Sequence, residues 1–397
     1  MKTEDAMRVP FLDLTIQYKT LKKEMDRKIL DVVESQKFIL GQEVTELEEK
    51  LASYTKTRFA IGVSSGSDAL IVSLMSLGIG KGDAVVTTPF TFFATVGAIV
   101  RVGAKVVFCD IDETTYNMDP DKLEEAIHDG TKKCPDSKVK AIIPIHLYGQ
   151  CADMDRISAS AAKYGLSVVE DAAQAISAAY PSSSGTKNAC GMGDMGILSF
   201  FPSKNLGGYG DGGMILTDKE DLAEKAKILR VHGAQNKYFH DLIGGNFRLD
   251  AIQAAVLQVK LAHLDDWTRK RQKNAIFYDK LLKDSGLIAR GIVKVPQAVY
   301  KQSGIPNYHV YNQYVVRAEK RDELQRFLGS KGIGSAVYYP LSLHLQNCFS
   351  SLGYKERDFP ETEKASGEVL ALPIFPELSV DQQEYVVSCM EEFYKGT

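Results

Sequence analysis

Lys204 lies between an aromatic run, Phe200-Phe201-Pro202, and a glycine-rich stretch from Gly207 to Gly213. A lysine is ordinarily a surface cation, but neighbours that exclude water penalise its charged form and leave a neutral amine free to attack an aldehyde. Asp171 stands at the end of the run Leu166–Glu170, in Val168-Val-Glu-Asp-Ala-Ala-Gln-Ala175, where the chain leaves the core. An ionised carboxylate there wants a cationic partner, or else simply caps the helix that follows. In Ser64-Ser-Gly-Ser-Asp-Ala-Leu70, Gly66 and Ser67 open a helix whose N-terminal amides can hold an anion. Taken alone, that motif reads first as a plain turn into a helix cap.

Together the three motifs describe one ligand. An aldehyde for Lys204, a phosphate for Gly66 and Ser67, and a pyridine nitrogen for Asp171 are the handles of pyridoxal 5'-phosphate. A carboxylate at the pyridine nitrogen keeps it protonated, which makes the ring a better electron sink. Phe92, in Pro89-Phe-Thr-Phe-Phe-Ala-Thr95, has the face to stack on the ring, and Ala173 is small enough to lie on its other side.

These residues need a scaffold that brings distant loops to one edge. Seven short apolar runs alternate with helix-length segments: Phe59–Val63, Ala84–Thr88, Lys105–Cys109, Val139–Ile145, Leu166–Glu170, Met195–Phe200 and Gly213–Leu216. That alternation predicts a mainly parallel sheet with helices on both faces, and ligands bind such sheets at the carboxyl ends of the strands. Helical spacing covers Asp68–Gly78 and Phe92–Val102, and Asp119-Pro120 and Asp153 each open a further helix. A single long helical stretch is expected from about Leu249 to Leu282. After the Gly- and Pro-rich segment Gly286 to Asn307, a small α+β unit begins with a strand at Tyr308–Arg317. The division expected is a large domain over 1–265, with an N-terminal segment of about 40 residues packed around it, and a small C-terminal α+β domain over 266–397.

With 397 residues, 44% of them apolar, and a net charge of 48 − 51 = −3, the chain is neither disordered nor fibrous. It has no basic block to mark a nucleic-acid binder, no apolar stretch long enough to span a bilayer, and charges where a secretory signal needs an apolar core. A cytoplasmic enzyme with six scattered, reduced cysteines is expected. The seven histidines show no metal spacing, so no metal is expected, and His146 reads as a structural or site-lining residue. The basic run Thr268-Arg-Lys-Arg-Gln-Lys273 reads as a solvated helix face, with a neighbouring diphosphate as the alternative. The glycines after Lys204 precede a strand and not a helix, so they are no dinucleotide loop.

Beyond these motifs, the sequence carries in this order Val9-Pro-Phe-Leu-Asp-Leu14, Phe38-Ile-Leu-Gly41 with Glu48, His146-Leu-Tyr-Gly-Gln150 with Ala152-Asp-Met-Asp155, Ser199-Phe-Phe-Pro-Ser-Lys204, Gly244-Gly-Asn-Phe-Arg-Leu-Asp250 and Tyr339-Pro-Leu-Ser-Leu-His344. The sequence resembles the sugar-nucleotide aminotransferases of the DegT type, a branch of the fold-type I pyridoxal-phosphate enzymes, from about Val9 to the C-terminus. The resemblance implies that Lys204 carries the cofactor, Asp171 meets the pyridine nitrogen, Gln174 touches the ring hydroxyl, Ser199 joins Gly66 and Ser67 at the phosphate, and Phe92 stacks. It further implies that Asn246 reaches the phosphate of a neighbouring subunit, so that a homodimer shares its active sites. Tyr338, Tyr339, His344 and Arg248 become expected sugar contacts, although Tyr338 and Ser342 replace the histidine and proline frequent in the family. The implied reaction converts a keto-sugar on a nucleoside diphosphate to the amino sugar, with L-glutamate leaving as 2-oxoglutarate while the cofactor cycles with pyridoxamine phosphate. Members that aminate the 3-position of UDP- or dTDP-linked sugars for envelope polysaccharide or lipid glycans look most similar. A dehydrating branch carries histidine where Lys204 stands, which disfavours that alternative. The other alternative, a non-catalytic regulator, is disfavoured by the intact Lys204, Asp171 and Ser199.

Overall fold

The computed structural model describes residues 7–134, 136–236 and 238–396; residues 1–6 of the expected N-terminal segment, Pro135, Lys237 and Thr397 lie outside the described residues. All seven apolar runs are strands: β1 Phe59–Val63, β2 Asp83–Thr87, β3 Lys105–Phe108, β4 Lys138–Ile142, β5 Ser167–Asp171, β6 Met195–Ser199 and β7 Gly213–Thr217. They form one sheet in the order β1-β7-β6-β5-β4-β2-β3. Every pairing is parallel except those of β7, which runs antiparallel to both β1 and β6. The α/β architecture expected from the alternation of strands and helices is therefore the observed one.

Adjacent residues of a strand point to opposite faces, and here both faces are buried. Val86, Ile142, Val168, Leu198 and Leu216 belong to the core on one side, while Val85, Ala141, Val169, Ile197 and Ile215 belong to the core on the other. This explains why the strands read as unbroken apolar runs. The helices start where their caps stand: Asp119 accepts from the Asp121 amide with Pro120 in the first turn, and Asp153 accepts from the Arg156 amide.

The expected single helix from 249 to 282 is two, Ala251–Leu261 and Leu264–Asp284, separated at Ala262 and His263. Their partners differ. Val256 and Val259 of the first pack against Leu21 and Met25 of helix Leu14–Ser35. The second buries a stripe that includes Ala275, Tyr278 and Leu282 in a separate core with Leu324, Leu370, Phe375 and Val386. A straight helix would miss one of these surfaces. That C-terminal core covers a three-stranded antiparallel sheet of β8 Val293–Lys294, β9 Tyr314–Ala318 and β10 Val369–Leu372, and it also takes in Val9.

Strand β9 begins six residues later than Tyr308 because the preceding backbone is bonded elsewhere. The Val310 amide donates to the Gly149 carbonyl, the Gln313 amide to the Tyr148 carbonyl, and the Asn205 side chain donates to the Val310 carbonyl. Residues 310–313 thus strap the small sheet to loops at the carboxyl edge of the large one.

Candidate active site

Strands β1, β2, β5 and β6 run in one direction, so the loops that leave their carboxyl ends meet at one edge. There they line a cavity of about 380 Å³ that contains Gly66, Ser67, Phe92, Thr95, Asp171, Ala173, Gln174, Ser199 and Lys204. Tyr338, Tyr339 and Gln313 close it from the C-terminal part of the chain.

Asp171 ends β5 and is buried. Its Oδ2 accepts from the Thr95 hydroxyl at 2.8 Å and its Oδ1 from the Ala173 amide at 3.2 Å. Burial raises the carboxyl pKa, while those two donors and the Lys204 charge oppose the rise. The Lys204 amine responds in the complementary direction. Loss of hydration lowers its pKa to about 8, against a smaller upward pull from Asp171. The cavity therefore holds a lysine that gives up its proton readily, together with a buried carboxyl group that favours a cationic partner.

The opposite end of the cavity is built from backbone. Ser65 caps the helix Gly66–Ser76 by accepting from the Asp68 amide at 3.0 Å, and Asp68 takes hydroxyl bonds from Ser64 and Ser65. The first amides of a helix have no intrahelical acceptor and form an anion site. Glycine is required here for space: a Cβ on Gly66 would stand 2.7 Å from the Cβ of Ser199. Gln174 is fixed from two sides, accepting from the Tyr148 amide at 2.7 Å and donating to the Tyr339 hydroxyl at 3.0 Å. An anion cradle, an amine of lowered pKa and a buried carboxylate at one cavity fit the phosphate, aldehyde and pyridine nitrogen of one cofactor.

A family model described as the DegT/DnrJ/EryC1/StrS aminotransferase family matches residues 19–391. The chain belongs to this family. A relative from Geobacillus stearothermophilus named pleiotropic regulatory protein is 51% identical, with 98% of this chain and 99% of the relative covered. The UDP-2-acetamido-2-deoxy-3-oxo-D-glucuronate aminotransferase of Pseudomonas aeruginosa is 40% identical, with 93% and 96% covered. The crystal structure of NtdA from Bacillus subtilis with bound cofactor PMP matches with a TM-score of 0.87 and 30% identity, over 100% of this chain and 87% of that one. The cofactor of this aminotransferase is pyridoxal phosphate, cycling with the amine form that NtdA holds.

Three expected site residues of this aminotransferase stand apart from its cavity. The loop after Tyr339 turns away at Pro340, and the Leu343 amide bonds to the Pro89 carbonyl. His344 is consequently buried against Phe108 and Phe359, with Nε2 3.2 Å from Glu363, and burial lowers its pKa. It takes no part in this cavity. Asn246 is exposed, and Arg248, with a buried Nε that has no partner, also lies outside the cavity lining. Backbone pairing places both on one run, since Asn246 bridges to Val231 and Arg248 to Val63.

Thr95 and Gln313 escaped the reading of the sequence as site residues. Thr95 had one available signal, a hydroxyl one turn into the helix that follows β2. Gln313 had none beyond being an amide in an apolar run. His146 is fully buried, and its Nδ1 accepts from the Ala152 amide at 3.1 Å while Nε2 meets Glu170 at 2.9 Å. It therefore donates to Glu170 and serves structure. No group of three His, Cys, Asp or Glu residues able to hold a metal occurs among the described residues. No described helix is long and apolar enough to cross a membrane.

Proposed function

We propose that this sugar-nucleotide aminotransferase converts a 3-keto-sugar carried on UDP or dTDP into the 3-amino sugar, with L-glutamate as amino donor. One observation supports it most: Lys204, Asp171 and the Gly66–Ser199 cradle converge on one cavity in a chain 40% identical to an enzyme named for a UDP-linked 3-oxo sugar. The product would serve envelope polysaccharide or lipid glycans. We place the reaction in the cytoplasm, in keeping with six cysteines that form no disulfide.

The division of labour follows from the geometry. When bound, pyridoxal phosphate supplies an aldehyde for amines and a ring that withdraws electrons from the substrate carbon. Asp171, held by Thr95 and Ala173, keeps a proton on the pyridine nitrogen. Gly66, Ser67 and Ser199 would hold the phosphate, Gln174 would meet the ring hydroxyl, and Phe92 and Ala173 would flank the ring. Lys204 would hold the mobile proton at Nζ, and a pKa lowered by burial to about 8 suits both its removal and its return.

The reading also includes a homodimer in which Asn246 and Arg248 complete the partner's cavity. Both lie outside their own cavity, and Ile243, three residues before Asn246 in the sequence, is a large apolar residue left exposed. Mixing Lys204→Ala with Asn246→Ala subunits tests this: shared sites restore activity toward about a quarter of wild type, because half the random dimers are mixed and each carries one intact site. Sites built from one chain restore nothing. The reaction itself is tested by incubating wild type with L-glutamate, removing the amino acid, and adding UDP- or dTDP-linked 3-keto sugars. Amino sugar must appear in step with loss of the amine form of the cofactor, and its absence with every sugar refutes the reading. The regulatory name of the Geobacillus relative leaves the same test in force, since a sensor binds without turning over.

A further inference from the structure

Gln313 is the lining residue with a buried polar atom left unsatisfied. Among the described residues that line the Lys204 cavity, its Oε1 alone is a buried side-chain oxygen or nitrogen without a hydrogen-bond partner. The residue is 8% exposed, so water compensates little for that missing bond. It is also firmly placed. Its amide donates to the Tyr148 carbonyl at 3.4 Å, and the Tyr148 amide in turn donates to Gln174 Oε1 at 2.7 Å. Three residues upstream, the Val310 carbonyl accepts from Asn205, the neighbour of Lys204. The Tyr148 hydroxyl donates to the Tyr338 carbonyl, and Tyr339 accepts from Gln174. The strap from the small sheet thus fixes Gln313 relative to both the lysine and the residues around it.

We propose that the Gln313 amide binds a ring hydroxyl of the keto-sugar and thereby selects the acceptor, a role that rests on the reaction proposed above. In the proposed arrangement other residues would meet the cofactor's handles, which leaves Gln313 unengaged. A dicarboxylate donor presents only accepting oxygens once its amine is engaged, so it can take a bond from the amide nitrogen but cannot satisfy Oε1. A sugar ring presents hydroxyls, which donate. Discrimination by such a group is strong because a substrate without the hydroxyl leaves the amide buried and unpaired.

The test uses Gln313→Met, which keeps length and removes the amide. Calorimetric titration of the cofactor-loaded enzyme with UDP- and dTDP-linked 3-amino sugars should show binding weakened about tenfold, with the Michaelis constant for L-glutamate changed by less than about twofold. The decisive reading is a coupling. In wild type one ring-deoxy analogue binds about tenfold worse than its parent, and in Gln313→Met the two bind within about twofold of each other. If Gln313→Met fails to fold, Gln313→Asn, which withdraws the amide by one methylene, gives the same ratio. A parallel rise in the glutamate Michaelis constant, or a deoxy penalty that survives the substitution, overturns the proposal. If wild type binds no nucleotide-linked amino sugar, the proposed reaction has failed first.

Discussion

Glu170 and Asp171 are adjacent carboxylates on one strand, and the sheet sends them to opposite fates. Glu170 is fully buried and saturated: it accepts from the amides of Cys190, Met192 and Gly193 and from His146. Asp171 has two donors and faces a cavity. The difference teaches that burial alone does not mark a functional carboxylate. A structural one has spent its lone pairs on the protein, whereas a functional one is held in place with capacity left for a ligand.

The sharpest way to break this comparison is to neutralise each in turn. Asp171→Asn should lower turnover roughly 10²- to 10³-fold, as expected for loss of a preorganised charge, with little change in thermal stability. Glu170→Gln leaves several donors facing a weaker acceptor, and should cost about 2–4 kcal/mol of folding stability while turnover of the folded fraction stays within a few-fold. Thermal melts read beside steady-state rates decide the matter. A catalytically dead but stable Glu170→Gln protein would end the distinction.

Gly66→Ala sharpens it from the other side of the cavity. The added methyl would meet Ser199 at 2.7 Å, so the cradle must open, and cofactor affinity should fall roughly tenfold to a hundredfold, or about 1.4–2.8 kcal/mol. Equilibrium titration of the cofactor-free protein with pyridoxal phosphate measures this, and unchanged affinity shows that the cradle does not hold the phosphate.

The smallest effect is in pH. Capture of an aldehyde needs the neutral amine, whose fraction grows about tenfold per pH unit below the pKa. The rate at which cofactor-free protein takes up pyridoxal phosphate should therefore climb to about pH 8 and flatten there, since Lys204 is lowered to about 8. In stability the sign runs the other way from a paired lysine. The charged form is penalised in the folded state, so the protein should gain stability as pH rises from about 8 toward the ordinary lysine value near 10.5. Lys204→Met should remove both dependences.

Much of this site was legible in the sequence. Lys204, Asp171, Gly66, Ser67, Ser199, Ala173, Gln174 and Phe92 each sit within a few residues of a strand end. Local periodicity finds strand ends, and a parallel sheet gathers them. His344 defeated that logic. It belongs to the same short motif as two cavity tyrosines, but the turn at Pro340 and its bond network toward Pro89 and Glu363 carry it away. The break at Ala262 and His263 was hidden for a similar reason, because the helical pattern continues across it while the surfaces to be covered change.

By itself the sequence determined the alternation of strands and helices, the burial of both sheet faces, and which lysine, aspartate and glycine turn come together at one cavity. These follow from local propensity and from which residue types can carry a given charge. Only the tertiary structure decided that Glu170 is saturated while Asp171 is available, that His344 lies outside the cavity lining, and that Gln313 lines the cavity while its buried Oε1 has no hydrogen-bond partner. Hydrogen-bond satisfaction depends on partners up to hundreds of residues away, and no local pattern records where those partners fall.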